Sequence, residues 1–162
     1  MKPSEDKLKW CAKQKYGIKI TKESLPLQKA YLKKSENAIK SMDANAKEGI
    51  NEWVVSTSYY AKYFVVYSLL SRIGIKCEIH DCTISLFEYL FTDKITPKLI
   101  QDFQQSKDDR IDAQYYTESI STNLNAIVTD TKAFVLDIQK IIDNLTQSEI
   151  IALQSKLKAA LQ

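Results

Sequence analysis

Glycine and proline number three each in 162 residues, and histidine occurs once. Hairpins and βαβ units need turn residues at frequent intervals, so this scarcity excludes sheet-rich folds and leaves an all-helical one. Cysteine is equally sparse. Cys11, Cys77 and Cys82 are odd in number and form no CxxC pair, which argues against a disulfide framework or a zinc ribbon and fits a reducing, cytoplasmic setting. No single charge sign dominates: 23 basic against 20 acidic residues leave +3, too mild to mark a nucleic-acid binder and too mixed for a polybasic membrane anchor. Long apolar runs are missing as well. The most apolar stretch, residues 59–70, contains Lys62 and reaches about half of the ~20 residues a bilayer requires, so it reads as a core helix and no membrane span is expected. Met1 to Asp6 have no apolar core behind them, and a signal peptide is not expected. One histidine also restricts the chemistry, since a catalytic triad or a His-rich metal centre would have to be built on His80. No GxSxG, HExxH, P-loop or GxGxxG pattern occurs, which removes the usual hydrolase, metalloprotease and dinucleotide readings.

What is present is a 44% hydrophobic chain long enough for one domain spanning residues 1–162 and one core. The apolar spacing predicts a short helix over residues 4–16 closed by a left-handed Gly17, and a long amphipathic helix over 26–46 with Pro26 in its first turn. Residues 43–49 lose the period and read as a connection. Between Asn51 and Ile73, Trp53, Val54, Val55, Tyr59, Tyr60, Tyr63, Phe64 and Leu69 leave almost no polar face, so this helix should lie at the centre of a bundle and end at Gly74. Asp81 is a possible cap for the next helix, and Thr96-Pro97 opens another to about Ser106. The charged residues 107–110 then lead into 111–116. A long helix follows over 118–144, and Thr146 with Glu149 forms a capping box for a last helix over 147–161.

Three groups of residues could carry chemistry. Residues 77–82 hold two cysteines, Glu78, His80 and Asp81, but ligands crowded into one turn rarely close a tetrahedron, so no metal or other cofactor is expected. The alternative reading is that His80 fixes a helix start and the cysteines pack as small buried groups. Tyr59, Tyr60, Tyr63 and Tyr67 crowd the central helix, either as core with each hydroxyl bonded or as a stacking wall for a base. Arg110, followed by Asp112, Tyr115 and Tyr116, can present a planar fork to a phosphate, although Asp108, Asp109 and Asp112 could satisfy it as an ordinary ion pair. On one continuous helix Arg110 and Tyr115 lie about 140° apart, so they converge only if the helix breaks or a second subunit contributes.

Taken in order, residues 58–63 with Leu69-Leu70, then Gly74 to His80, then residues 84–87, then Arg110-Ile111-Asp112-Ala113-Gln114-Tyr115 resemble the HEPN domain over about residues 26–142. The resemblance implies an antiparallel up-and-down bundle of four to five helices, with the first and last helices as additions. It also implies a homodimer, and in many members a minimal nucleotidyltransferase as partner in a toxin–antitoxin pair. Other members are metal-independent ribonucleases, in which an arginine is followed four to six residues on by a histidine. Arg110 matches the arginine, but Tyr115 and Tyr116 stand where the histidine would be, and His80 lies upstream. A tyrosine of pKa about 10 is a poor proton carrier near neutrality, and losing a general acid–base costs roughly 10²- to 10⁴-fold in rate. In some toxin members a tyrosine near the motif receives adenylate; Thr117 stands at that place, with the Tyr115 and Tyr116 hydroxyls nearby. The expectation is therefore a non-catalytic or weakly catalytic subunit binding a nucleotide, RNA or a transferase through Arg110, Asp112, Tyr115, Tyr116, Tyr59 and His80. The alternatives are a metal-independent endoribonuclease using Arg110 and His80, and a helical scaffold with no ligand site.

Overall fold

An α-helix without a polar face must be enclosed by others, and the fold is organised around one such helix. The computed structural model describes residues 3–116 and 123–162. Among them lie seven helices: α1 (Glu5–Lys13), α2 (Leu25–Glu48), α3 (Asn51–Arg72), α4 (His80–Phe91), α5 (Pro97–Tyr115), α6 (Leu124–Asn144) and α7 (Gln147–Leu161). Two short strands, β1 (Lys19–Ile20) and β2 (Ile75–Lys76), pair antiparallel. The architecture is the all-α bundle expected, with α3 at its axis and α2, α5 and α6 packed around it.

The α2–α3 crossing is held by small hydroxyls as well as by apolar burial. The Ser35 hydroxyl donates to the Ala61 carbonyl at 2.7 Å and the Ser68 hydroxyl to the Gln28 carbonyl at 2.7 Å. Small side chains at these positions let the backbones approach while both of these buried hydroxyls find an acceptor. Towards α5 and α6 the contact is aromatic: Phe103, fully buried, lies 6.0 Å from the Tyr59 ring and 5.5 Å from the Phe134 ring. At the end of α3 the Gln154 amide of α7 donates to the Ile73 carbonyl at 2.8 Å, covering a helix terminus whose carbonyls would otherwise lack partners.

Several local expectations need correction. Residues 43–48 continue α2, and the connection shrinks to Gly49 and Ile50, with Gly49 at φ 71° as the left-handed stop. Gly17 is not left-handed, since positive φ among glycines is confined to Gly49 and Gly74. Its smallness serves a close approach instead, because a Cβ there would collide with the Cys11 carbonyl oxygen. Gly74 combines both demands: φ is 72°, and a Cβ would sit 2.7 Å from the Thr21 carbonyl oxygen, on the strand-side hydrogen bond that Thr21 N–H donates to Gly74. Asp81 does not cap α4, which starts one residue earlier at His80 with no side-chain cap; its carboxylate is taken by Lys107 of α5. Thr96 and the Thr146–Glu149 box do cap α5 and α7. The helix begun at Pro97 runs unbroken through residues 107–110 to Tyr115. Glu118, the expected start of the following helix, lies outside the described residues, and α6 starts at Leu124 behind an Asn123 cap.

The largest correction concerns cysteine. Cys11 of α1 and Cys82 of α4 form a disulfide across 71 residues, with Cα atoms 5.8 Å apart. Spacing in sequence could not show this, because the pairing depends on α1 folding back onto α4. It also removes the cysteine argument for a reducing compartment. Cys77 is free and buried. No described helix is long and apolar enough to cross a membrane.

Candidate functional site

The first turn of α4, the middle of α3 and the last third of α5 bring His80, Tyr59 and Arg110 together. Tyr59 is the common element. It is fully buried, its hydroxyl is hydrogen-bonded to His80 Nδ1, and the Arg110 guanidinium carbon lies 5.1 Å from its ring centre. Tyr60, next on α3, accepts a hydrogen bond from Arg110 Nη1 at 3.2 Å and also lies beneath the guanidinium at 5.7 Å. The His80 ring stacks on Tyr63 with centroids 4.3 Å apart and planes within 11°. The tyrosines therefore divide in role. Tyr59, Tyr63 and Tyr67 are core, whereas the half-buried Tyr60 reaches the surface at Arg110. The Tyr67 hydroxyl is buried without a hydrogen-bond partner among the described residues.

The fate of Arg110 distinguishes the readings weighed on sequence. Among the described residues no carboxylate pairs with it: Asp108 faces Lys107 at 3.6 Å and Asp109 accepts from Gln105 at 2.8 Å. Its polar contacts are neutral, to Tyr60 and to Gln114 Oε1 at 3.4 Å, and its Nε is buried with no partner among the described residues. A guanidinium laid on aromatic faces keeps its full charge and is oriented by stacking. Asp112 is exposed and makes no side-chain hydrogen bond among the described residues. Because α5 is continuous, Tyr115 does not converge on the Arg110 face within this chain, and Tyr116 follows it as an extended C-cap. They are 75% and 64% exposed. Thr117 lies outside the described residues.

Electrostatics set the protonation of these groups. Burial lowers the His80 pKa, and the charges of Arg110 and Lys107 push the same way against Asp81. Burial raises the Tyr59 phenol well above its usual range, and Tyr63 rises to about 12 for the same reason. At neutral pH the site therefore holds a neutral imidazole, neutral phenols and one permanent cation. A depressed histidine pKa means the unfolded chain binds the proton more readily. We expect the stability contributed by His80 to be complete above its unfolded pKa of about 6.5 and to be lost as pH falls through that value toward the folded pKa. Urea midpoints at pH 7.5 and pH 5 check this, with His80→Gln expected to flatten the dependence in that window. Asp81, lowered chiefly by its Lys107 hydrogen bond, acts separately at more acidic pH.

Two features escaped the sequence reading. Lys62, visible only as a charge inside an apolar run, is 4% exposed, donates to the Ser106 hydroxyl at 2.6 Å and lies 5.7 Å from the Phe134 ring centre. Burial lowers its pKa, while Asp102, Asp130 and Asp109 oppose the shift. Trp53 counts among the apolar residues that predict an enclosed α3, yet half its surface is open to solvent. Its place in the first turn, before α3 enters the bundle, was the available signal. No three His, Cys, Asp or Glu side chains among the described residues are grouped to hold a metal ion, and the Cys82 sulfur is committed to Cys11.

A model of the HEPN domain matches residues 28–147, which takes in α3, α4 and α5 and so every residue of the site, and leaves α1 and β1 outside. No curated protein matches the chain.

Proposed function

The chain belongs to the HEPN family, and from that membership we propose that it binds a nucleotide or RNA phosphate where Arg110 and His80 meet around Tyr59. One observation carries the proposal: Arg110 is held in place by aromatic rings and neutral acceptors, with no ion-pair partner among the described residues. A scaffold would leave such a charge satisfied by Asp108, Asp109 or Asp112. Here the fork is oriented and its charge is left for a ligand, the arrangement that suits bidentate phosphate binding. The neutral imidazole beside it adds a donor or acceptor without repelling the guanidinium.

Titration of a fluorescent single-stranded oligoribonucleotide and of ATP against the full chain tests the proposal. Arg110→Ala should weaken binding roughly 10- to 100-fold, as expected for loss of charged hydrogen bonds of about 1.5–3 kcal/mol, while circular dichroism stays unchanged. Absent binding by the native chain, or equal binding by the variant, would overturn it.

A second reading, metal-independent cleavage of RNA, is supported by the placement of His80, distant in sequence from Arg110 but beside the same Tyr59 ring. Arg110 would hold the scissile phosphate and His80 would carry a proton. Cleavage in the presence of chelator that vanishes in both Arg110→Ala and His80→Ala selects this reading, and intact RNA at high protein concentration discards it. A homodimer, and a minimal nucleotidyltransferase as a second partner, belong to the main proposal. The exposed hydroxyls of Tyr115 and Tyr116 support it, because modification or a shared cleft requires side chains that reach outward.

A further inference from the structure

We infer that the groove between the start of α3 and the end of α5 is a nucleobase-stacking site that extends the phosphate site at Arg110; the inference rests on the reading above. The groove measures about 380 Å³ and is lined by Glu52, Trp53, Ser56, Ala113, Gln114 and Tyr115. That volume falls within the roughly 300–1,000 Å³ of small-molecule sites.

Its position follows from the antiparallel course of α3 and α5. Lys62 meets Ser106, Tyr60 meets Arg110, and toward the start of α3, Ser56 and Trp53 face Ala113, Gln114 and Tyr115 across the groove. Gln114 belongs to both places, since its Oε1 accepts from Arg110 Nη1 and its side chain lines the groove. The guanidinium is thus tied to the groove wall.

The chemistry of the lining selects the occupant. Trp53 and Tyr115 are 50% and 75% exposed, and two large aromatic side chains bordering one cleft offer flat faces that any base can stack on. In the same lining the Glu52 carboxylate can accept hydrogen bonds, and the Gln114 amide can both donate and accept, matching the mixed donors and acceptors on a base edge. A purely apolar ligand would leave these groups unpaired. The nearby Arg110 cation, which pairs with no carboxylate among the described residues, makes the ligand anionic at one end. Trp53 and Tyr60 are seven residues apart on α3, about 10 Å at 1.5 Å per residue, so the occupant must extend from a stacked base to a phosphate some distance away. A nucleoside polyphosphate and a single-stranded RNA share that chemistry.

The chain has two tryptophans, so Trp10→Phe makes Trp53 the sole indole reporter. In that background the full chain is titrated with a short single-stranded oligoribonucleotide, the same strand with abasic sites, ATP, and inorganic phosphate. Base-bearing ligands should quench Trp53, whereas the abasic strand and phosphate should not; quenching by ATP as well as the strand identifies a free nucleotide as sufficient, and quenching by the strand alone identifies RNA. With anisotropy as the readout in the native background, Trp53→Ala should weaken the base-bearing strand roughly 5- to 100-fold, the range for loss of one stacked base, and leave the abasic strand unchanged. Tyr115→Leu, at an exposed position, should weaken it in the same sense and guards against misfolding of the first variant. If base-bearing and abasic strands bind alike and neither variant matters, the stacking site is overturned while the Arg110 site stands. If Arg110→Ala also changes nothing, both fall. Trp53 emission that varies with protein concentration in the absence of ligand would instead place a second copy in the groove and overturn the inference.

Discussion

Opening the Cys11–Cys82 disulfide is expected to lower stability by about 4 kcal/mol. The bond closes 71 residues, and restricting an unfolded chain over a loop of that length is worth about 4 kcal/mol in the chain-entropy description, within the roughly 2–5 kcal/mol measured on removing native disulfides. For a chain of this size each kcal/mol moves the melting temperature by about 2–4 °C, so a fall on the order of 10 °C should follow addition of dithiothreitol. The Cys11→Ala, Cys82→Ala double variant should melt where the reduced protein does and ignore the reductant. Equal melting of oxidised and reduced protein would refute the expectation. The loss should begin locally. Within α1 only Leu8 and Cys11 are buried, and its other ties include a hydrogen bond from Tyr89 to Glu5 at 3.3 Å. Amide exchange in α1 should therefore accelerate before that in α3.

Tyr59→Ala is expected to be about as damaging, for a different reason. Tyr59 is fully buried on the central helix, with Phe103 at 6.0 Å, Tyr63 at 5.9 Å and His80 at 5.6 Å between ring centres. Truncating a buried aromatic side chain removes its transfer free energy and leaves a cavity, together about 3–5 kcal/mol. Tyr59→Phe isolates the hydroxyl. It keeps the ring under Arg110 and releases His80 Nδ1, at a cost near 1 kcal/mol for one intramolecular hydrogen bond. Guanidinium unfolding of the pair separates the two contributions, and a Tyr59→Ala midpoint no lower than that of Tyr59→Phe would show that packing at Tyr59 is not what holds this part of the core.

The fold was largely legible from short-range signals. Apolar periodicity located α3 and its central position, and capping chemistry located the starts of α2, α5 and α7, because both are properties of residues within a turn or two of each other. Where the reading failed, the deciding contact came from elsewhere in the chain. Asp81 has the chemistry of a cap, but Lys107 of α5 offers it an opposite charge and takes it instead. The polar residues 43–48 are poor in apolar spacing, yet helix propagation needs only the next backbone hydrogen bond and continues to Gly49. The charged residues 107–110 read as an interruption and are one turn of an unbroken helix, three of them half-buried.

The site was legible only in part. Arg110 and His80 could be named as candidates from residue type and resemblance, but nothing in their separation of thirty positions indicates that they meet. Sequence by itself determined that this protein is an all-helical HEPN chain, since helical period, scarcity of turn residues and residue identity are local facts. The tertiary structure alone decided that Tyr59 joins His80 to Arg110, that no described aspartate pairs with Arg110, and that Cys11 reaches Cys82. The physical reason is common to all three. Each depends on which side chains of different helices come within a few ångströms, and that is set by how the helices pack around α3.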